Sequence, residues 1–599
     1  MPNDDKFDVY LMYGGAAAAA GGDRYDLNRE IANHFETIAN LLKLKMMREM
    51  VVAKMEEDRR ENKSCSENES SSSSSSSSDE ADDDNRLADL VRDWEGQYPD
   101  LRKMFDREQM DWLLKEYASS ATVLGFVVGC GYRDEPEPDE DGKIALNRVT
   151  PVHRAFGQEE YDCVPELFKI YKYDVNYIDE RSGLTHFHVA CEYGLSDVVE
   201  KFLRHGQDPD CLPVRSTVDP PLHLALMNDE RKVVELLLRA GADPNLANAE
   251  GETPLHAAGQ RENDDDLEQV FFDIDDAIRR RVRVDARDRS GNAPLHLALA
   301  NYAKSLAELL LRNGADPNLA NDAGETPLHV IGKDRDDAHE LARMLFEISD
   351  ERRVRVEVDA RDESGRTPLQ WAVANLVPKT VAVLLERGAD LSAFRFPTED
   401  YLFRDYFSFM HPASSRATAG ALDVLERLER RGYEPDRGDV LTIMKLFAKH
   451  KALEKSAAEL DESSWMDDQR FADRAKKMKI ADSDLTLYDL IRLPACEAAR
   501  LLPPRGDYLK FMYLLDLWKL PDEHKQATAR RLCEAMSRRF FRRWATTSLM
   551  ELVEGTRRYR LPILCCDMIA ELLDNEDSWR VCLAAAGQSL PTKSVQKSI

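Results

Sequence analysis

The octapeptide Gly241-Ala-Asp-Pro-Asn-Leu-Ala-Asn248 is written a second time at Gly314 to Asn321. Each copy leads within a few residues into Gly-Glu-Thr-Pro-Leu-His, at Gly251 to His256 and Gly324 to His329, and the copies stand 73 residues apart. Self-similarity at a fixed period marks a repeat architecture. Within the hexapeptide, Thr253 suits a helix N-cap and Pro254 the first helical position, where no N–H is needed. Leucine-rich runs, Val233 to Arg239 and Leu306 to Arg312, read as second helices that Gly241 and Gly314 close in the left-handed conformation. Asp-Pro-Asn then turns the chain outward. Each unit is therefore helix, turn, helix, finger.

The histidine of the hexapeptide recurs at His153, His188, His223, His256, His296 and His329, with Gln370 in the seventh place. The spacings are 35, 35, 33, 40, 33 and 41 residues. This pattern resembles the ankyrin repeat, whose unit of about 33 residues carries a Thr-Pro-Leu-His signature. The resemblance implies an all-α solenoid over residues 147–395, about seven repeats alternating short and long. Its structural anchors are Thr150, His153, His188, His223, Thr253, His256, His296, Thr326, His329 and Thr367. Histidines at one repeat position beside a capping threonine bond locally to backbone, so they are read as structural and not as a metal or catalytic set.

The long spacings hold acidic inserts, Glu262 to Asp266 and Asp334 to Asp337, followed by basic runs, Arg279 to Asp285 and Arg352 to Val358. Inserts in a solenoid map to loops on one face. Motif position makes Asn248, Glu250, Arg287, Arg289, Asn321, Asp322, Arg361 and Glu363 the candidate target-binding finger residues. Leu425 to Asp436 repeats the second-helix pattern without a Thr-Pro-Leu-His ahead of it, so 396–450 reads as a degenerate or capping repeat. The aromatic stretch Phe394 to Phe409 between them reads as a connecting helix.

Ahead of the array, residues 1–25 read as a flexible N-terminus and 26–60 as a helix, with Leu27, Ile31, Phe35, Ile38 and Leu42 on one stripe. A short coiled coil and a docking helix are both compatible with that stripe. Residues 61–85 hold nine consecutive serines, Ser70 to Ser78, and an acidic cluster, a composition with little to bury that reads as disordered. The serines are either phosphorylated or part of a plain solvated linker. Residues 86–130 read as helical.

Residues 451–587 read as a helical, non-repetitive domain and 588–599 as a flexible tail. Helices are expected at Leu485 to Leu493, Tyr508 to Leu517, Leu532 to Trp544 and from Leu549 onward. Lys525 to Arg560 is a basic island in a chain of net charge −29. Its Leu532, Met536, Phe540 and Trp544 recur every four residues, which favours a buried helical stripe over nucleic-acid recognition. The ending Leu561 to Asp577 resembles the F-box-like close of the PRANC domain, which follows ankyrin arrays in poxvirus proteins and in relatives from parasitoid wasps and their endosymbionts. Leu561-Pro562, Ile569, Leu573 and Asp577 carry the match over 561–578. The family usually has an acidic residue where Leu564 stands and a leucine where Ser578 stands. The resemblance implies docking on the linker subunit of a cullin-RING ubiquitin ligase through Leu561, Pro562, Ile569 and Leu573.

Ten cysteines without metal-ligand spacing signal neither a disulfide framework nor a zinc module. Phosphate-loop and nucleophile-elbow patterns are lacking, so neither an enzyme nor a cofactor is expected. The acidic balance argues against whole-chain binding to nucleic acid or acidic membrane. The expected partners are a target protein on the repeat face and the ligase linker at the C-terminus, in the cytoplasm or nucleus. An ankyrin inhibitor of a Rel-type transcription factor pathway, with no ligase, is the alternative.

Overall fold

The computed structural model describes residues 24–65, 80–92, 94, 97–136, 144–157, 162–212, 218–261, 269–273, 282–334, 338–402, 413–450, 468–480, 485–502, 508–515, 517–555 and 561–588. Among them regular structure is helical, with three isolated β-bridges and no strand. The chain divides into two compact units, residues 1–258 with 267–282, and residues 259–266 with 283–599.

The first unit opens with α1 (Arg24–Cys65), α2 (Glu80–Arg92), α3 (Arg107–Glu116) and α4 (Ala121–Gly129). Helix therefore extends into both ends of the expected 61–85 tract, and the serines Ser70 to Ser78 lie outside the described residues. Leu44, Met47, Val51 and Met55 bury one face of α1 in contact with α2 and α3, and Trp112 Nε1 donates to Asp58 at 2.6 Å. The array begins with α5 (Pro151–Gly157), α6 (Val164–Leu167), α7 (His186–Glu192), α8 (Ser196–Arg204), α9 (Pro221–Met227) and α10 (Arg231–Ala240). Helix α3 packs on α5 and α4 on α6. Residues 107–129 thus cover the open end of the first repeat, which a stack of half-buried units requires. Asp134 fastens this junction: it is 3% exposed, accepts from Tyr177 Oη at 2.6 Å and from Arg148 at 3.1 Å, and Arg148 also pairs with Asp111.

Helix α11 (Pro254–Gly259) follows, then α12 (Val270–Asp273). In the second unit the repeats run through α13 (Pro294–Ala300), α14 (Lys304–Arg312), α15 (Pro327–Lys333), α16 (His339–Glu351), α17 (Pro368–Ala374) and α18 (Pro378–Glu386). Proline occupies the first helical position at 254, 294, 327 and 368, as expected. Gly241 and Gly314 take φ 103° and 113°. Lengthening the second helix, 13 residues in α16 against 9 in α14, takes up four of the eight residues by which the spacing before Gln370 exceeds the spacing before His329. The closing position of α16 is not glycine: Arg353 takes φ 59° there. The acidic insert 262–266 and residues 335–337 lie outside the described residues.

Helix α19 (Ala413–Arg430) ends on Gly432 at φ 90°, the repeat's own helix stop, but no finger follows. Asp436 instead caps α20 (Arg437–Lys449) through Asp439 N at 2.9 Å. The connecting helix expected at Phe394 to Phe409 is not formed over 394–402, which is turn and loop; residues 403–409 lie outside the described residues. Then come α21 (Gln469–Ala475), α22 (Leu487–Arg492), α23 (Ala495–Leu501), α24 (Tyr508–Leu514) and α25 (Asp522–Gly555). The two helices expected from Leu532 and Leu549 are one, α25, 34 residues long. Leu532, Met536 and Phe540 are buried in a core shared with α19, α20 and α22, which confirms the stripe. The last helices are α26 (Ile563–Leu572) and α27 (Asn575–Ala585).

Candidate functional site

The repeat histidines come first because they decide what the array can do. Backbone N–H can only donate and backbone C=O only accept. His329 Nδ1 accepts from Thr326 N at 3.1 Å and Nε2 lies 3.0 Å from Arg366 O in the next finger. His296 does the same between Ala293 N and Glu325 O, at 3.1 and 3.0 Å. Each ring is thereby fixed as the neutral tautomer with the proton on Nε2. Gln370 reproduces the arrangement with an amide: Oε1 accepts from Thr367 N at 2.9 Å and Nε2 donates to Arg395 O at 3.0 Å. Burial depresses the histidine pKa, to about 4 for His153, His188 and His296. His223 keeps its bond to Glu252 O at 2.8 Å, but Pro220 offers no N–H and its Nδ1 has no donor. His153 and His188 are bonded through Nδ1, to Thr150 and Thr185, while their buried Nε2 atoms have no partner, so the two-sided bridge is complete at His296, His329 and Gln370 but not at His153, His188 and His223.

The threonines act less uniformly than expected. Thr185 and Thr367 accept the N–H of the residue three positions on, at 3.2 and 3.3 Å. At Thr253 and Thr326 the backbone carbonyl takes that role, at 2.8 Å in both. The side-chain hydroxyls there lie 2.9 Å from the anchoring ring.

The finger candidates divide into two kinds. Asn248 Oδ1 accepts from Glu250 N and Glu252 N, and its Nδ2 donates to Asp219 and Glu252. Asn321 is engaged in the same way with Ala323 N, Glu325 N and Asn292. Both asparagines build the finger turn and have little capacity left for a partner. Glu250, Arg287, Arg289, Asp322, Arg361 and Glu363 are exposed at the tips. Arg287 there pairs with Asp322 at 3.1 Å, and Arg361 donates to Gly365 O at 2.8 Å. Aromatic and cationic side chains gather at the end of the repeats, where Arg366 lies 4.9 Å from the Trp371 ring and 4.1 Å from Tyr401.

Helix α26 is the most distinctive surface. Leu564, Met568 and Leu572 are 73%, 66% and 87% exposed and stand four residues apart on one ridge. Leu561, Ile563 and Ile569 are exposed beside them, and Cys566 and Ala570 are buried on the inner face. Of the residues expected to dock, Leu561, Pro562 and Ile569 are exposed and Leu573 is half-buried. The sequence reading missed Leu564, Met568 and Leu572, although their i, i+4, i+8 spacing was visible. Ser578, in the place of the family's leucine, is buried with no hydrogen-bond partner for its hydroxyl.

The basic island positions this ridge. Arg542 grips Asp567 with Nε at 2.8 Å and Nη2 at 2.6 Å, and its hydrogen bonds hold that carboxyl below the usual range. Arg538 is buried and donates to Glu571 O at 2.7 Å and Ala570 O at 3.3 Å, satisfying carbonyls that the end of a helix leaves unpaired. Asn575 joins the cluster through Glu534 O and Ser537 Oγ, both at 3.0 Å. Several island arginines are thus spent on the protein itself.

Among the described residues no cluster of metal-ligating side chains occurs, and no helix is long and apolar enough to cross a membrane.

Residues 222–321 and 295–395 match the model of ankyrin repeats in three copies. The chain carries ankyrin repeats. It is 27% identical to the E3 ubiquitin-protein ligase KEG of Arabidopsis thaliana over 305 residues, 46% of this chain and 18% of that protein. Mouse ankyrin repeat and SOCS box protein 16 is 30% identical over 232 residues, 37% of this chain and 49% of that protein. The chicken nuclear factor NF-kappa-B p105 subunit is 32% identical over 171 residues, 28% of this chain and 16% of that protein. The chain spans less than half the length of each of these relatives.

Proposed function

We propose that this chain is a protein-interaction adaptor whose ankyrin repeats hold a target protein while α26 docks on the linker subunit of a cullin-RING ubiquitin ligase. The observation that carries the reading is the apolar ridge Leu564, Met568 and Leu572. It is exposed to solvent on a helix held from behind by Arg538 and Arg542. An amphipathic helix with anchors four residues apart is the form that helix-in-groove partners accept. Exposed apolar side chains in such number are costly to keep on a surface without a partner. Similarity to a ubiquitin ligase and to a SOCS box protein supports the ligase reading.

The experiment is co-purification of the full chain with the linker, comparing wild type with Leu564→Asp/Met568→Asp. The variant is expected to keep its melting curve, because both side chains are exposed, and to lose the linker. Equal recovery would end the ligase reading. Similarity to p105 favours a second reading, a stoichiometric inhibitor of a Rel-type transcription factor. Target abundance separates the two: an adaptor lowers it in a proteasome-dependent way, and an inhibitor leaves it unchanged.

A further inference from the structure

The repeat that carries Gln370 is built around one guanidinium. Arg366 lies in the finger ahead of α17, and its backbone is pinned on both sides: its N–H donates to Asp362 Oδ1 at 2.9 Å and its carbonyl accepts from His329 Nε2 at 3.0 Å. Its side chain rests against two rings, 4.1 Å from the centre of Tyr401 and 4.9 Å from that of Trp371. The two rings meet edge to face at 5.7 Å. Trp371 is itself fixed, since Nε1 donates to the buried Asp362 at 2.8 Å. Lys333, the last residue of α15, sets its ammonium 4.5 Å from the centre of the same ring and pairs with Glu325.

The donors of Arg366 are unspent, which sets it apart from its neighbours. Arg312 pairs with Glu308 and Glu351, Arg352 donates to Ala315 O, and Arg387 pairs with Asp350. The Arg366 guanidinium has neither a hydrogen-bond acceptor nor an ion-pair partner among the described residues. Stacking occupies its faces and leaves its edge, with five N–H donors in a planar fork, open. Arg366, Trp371 and Tyr401 are all half-buried. Arginine, tryptophan and tyrosine carry much of the energy at protein interfaces, and side chains ordered in advance lose less entropy on binding.

The acceptor that fits such an edge is planar and singly charged. A carboxylate takes two parallel N–H···O bonds from the fork. A phosphoryl group brings more charge and calls for further cations, and the nearby Lys333 is already paired with Glu325.

We infer that Arg366 is the anchor at which the repeats receive an aspartate or glutamate side chain of the target protein, held edge-on by the guanidinium and flanked by Trp371 and Tyr401. On the proposed reading that the repeats hold a target, this names the chemistry they recognise.

The test is fluorescence anisotropy of the full chain with a labelled, end-capped peptide of alternating glutamate and serine, at protein concentrations up to about 1 mM. The peptide should bind, and its counterpart with glutamine in place of glutamate should not. Arg366→Met, which keeps an apolar stem against the rings, should weaken binding at least about tenfold through the loss of two charged hydrogen bonds. Arg366→Lys keeps the charge without the fork and should also bind less well than wild type, which keeps the test open if Arg366→Met lowers the melting temperature. Arg387→Met, an equal change of charge elsewhere in the repeats, should bind as wild type does. Failure of the glutamate peptide to bind, equal binding of the glutamine peptide, or binding indifferent to both Arg366 variants overturns the inference. A phosphoserine peptide that binds where the glutamate peptide does not overturns the assignment to a carboxylate. Leu564→Asp/Met568→Asp should leave peptide binding unchanged, so that loss of the linker and loss of carboxylate recognition are read separately.

Discussion

The repeats and the C-terminal helices solve one problem in two ways. Both must satisfy backbone groups left open at helix ends, and both use a buried side chain. In the later repeats a histidine or glutamine reaches an amide three residues back and a carbonyl in the next finger, and the solution is repeated at His296, His329 and Gln370. At the C-terminus one arginine, Arg538, reaches carbonyls 32 and 33 residues away, once. A copied solution shares its load among neighbours, whereas a single one has no substitute. Damage should therefore be graded by which kind of contact it removes.

The largest effect is expected for Arg538→Met. It strands the Ala570 and Glu571 carbonyls and should cost about 3 kcal/mol, since hydrogen bonds to charged groups are the stronger kind. Calorimetry would register it as a lower melting temperature, and linker recovery should fall with it. An unchanged melt would mean that α26 is held by apolar contact alone.

His329→Ala should cost less, about 2 kcal/mol, for the two buried backbone groups it leaves open. His329→Gln should cost under about 1 kcal/mol, because Gln370 shows that an amide makes both bonds. Equal losses in urea melts of the two variants would remove the equivalence of the anchors.

Acid should separate the regions further. His153, His188, His223, His296 and His329 have folded pKa values below the unfolded value, about 4 for His296, so the unfolded chain takes up protons first as pH falls below about 6.5. Their contribution is complete above that pH and is lost between about 6.5 and 4, by at most about 1.4 kcal/mol per pH unit for each histidine. His296→Gln should flatten the decline in a pH series of denaturant midpoints. An unaltered slope would assign acid sensitivity to other groups.

The smallest effect is a gain. Tyr302 and Arg353 hold φ of 59° where Gly194 and Gly314 stand in other units, and both are exposed. Tyr302→Gly and Arg353→Gly should each stabilise by about 0.5–1 kcal/mol, the relief of a left-handed side chain less the entropy of glycine. Leu376, also left-handed at φ 55°, is buried and should lose stability on the same change. Thermal melts of the three variants would check the sign of each.

Much of the fold was legible because its signals are local. Proline at the first helical position, glycine at the stop and a histidine three residues after the cap are set by neighbours in sequence. The stretch 394–402 was misread because aromatic content does not distinguish a helix from a loop packed on its surroundings. The finger asparagines were misread because position alone could not show that their amides were spent on the turn.

The sequence by itself determined the register of the repeats, the left-handed stops and the choice of buried stripe in α25, since each rests on interactions a few residues long. Only the tertiary structure decided which apolar faces find cover. It buries Leu532, Met536 and Phe540 and leaves Leu564, Met568 and Leu572 in solvent, although both sets are spaced four apart. The periodicity of an amphipathic helix records that it has an apolar face. What lies against that face is a matter of long-range packing, and in α26 it was settled by arginines from another helix.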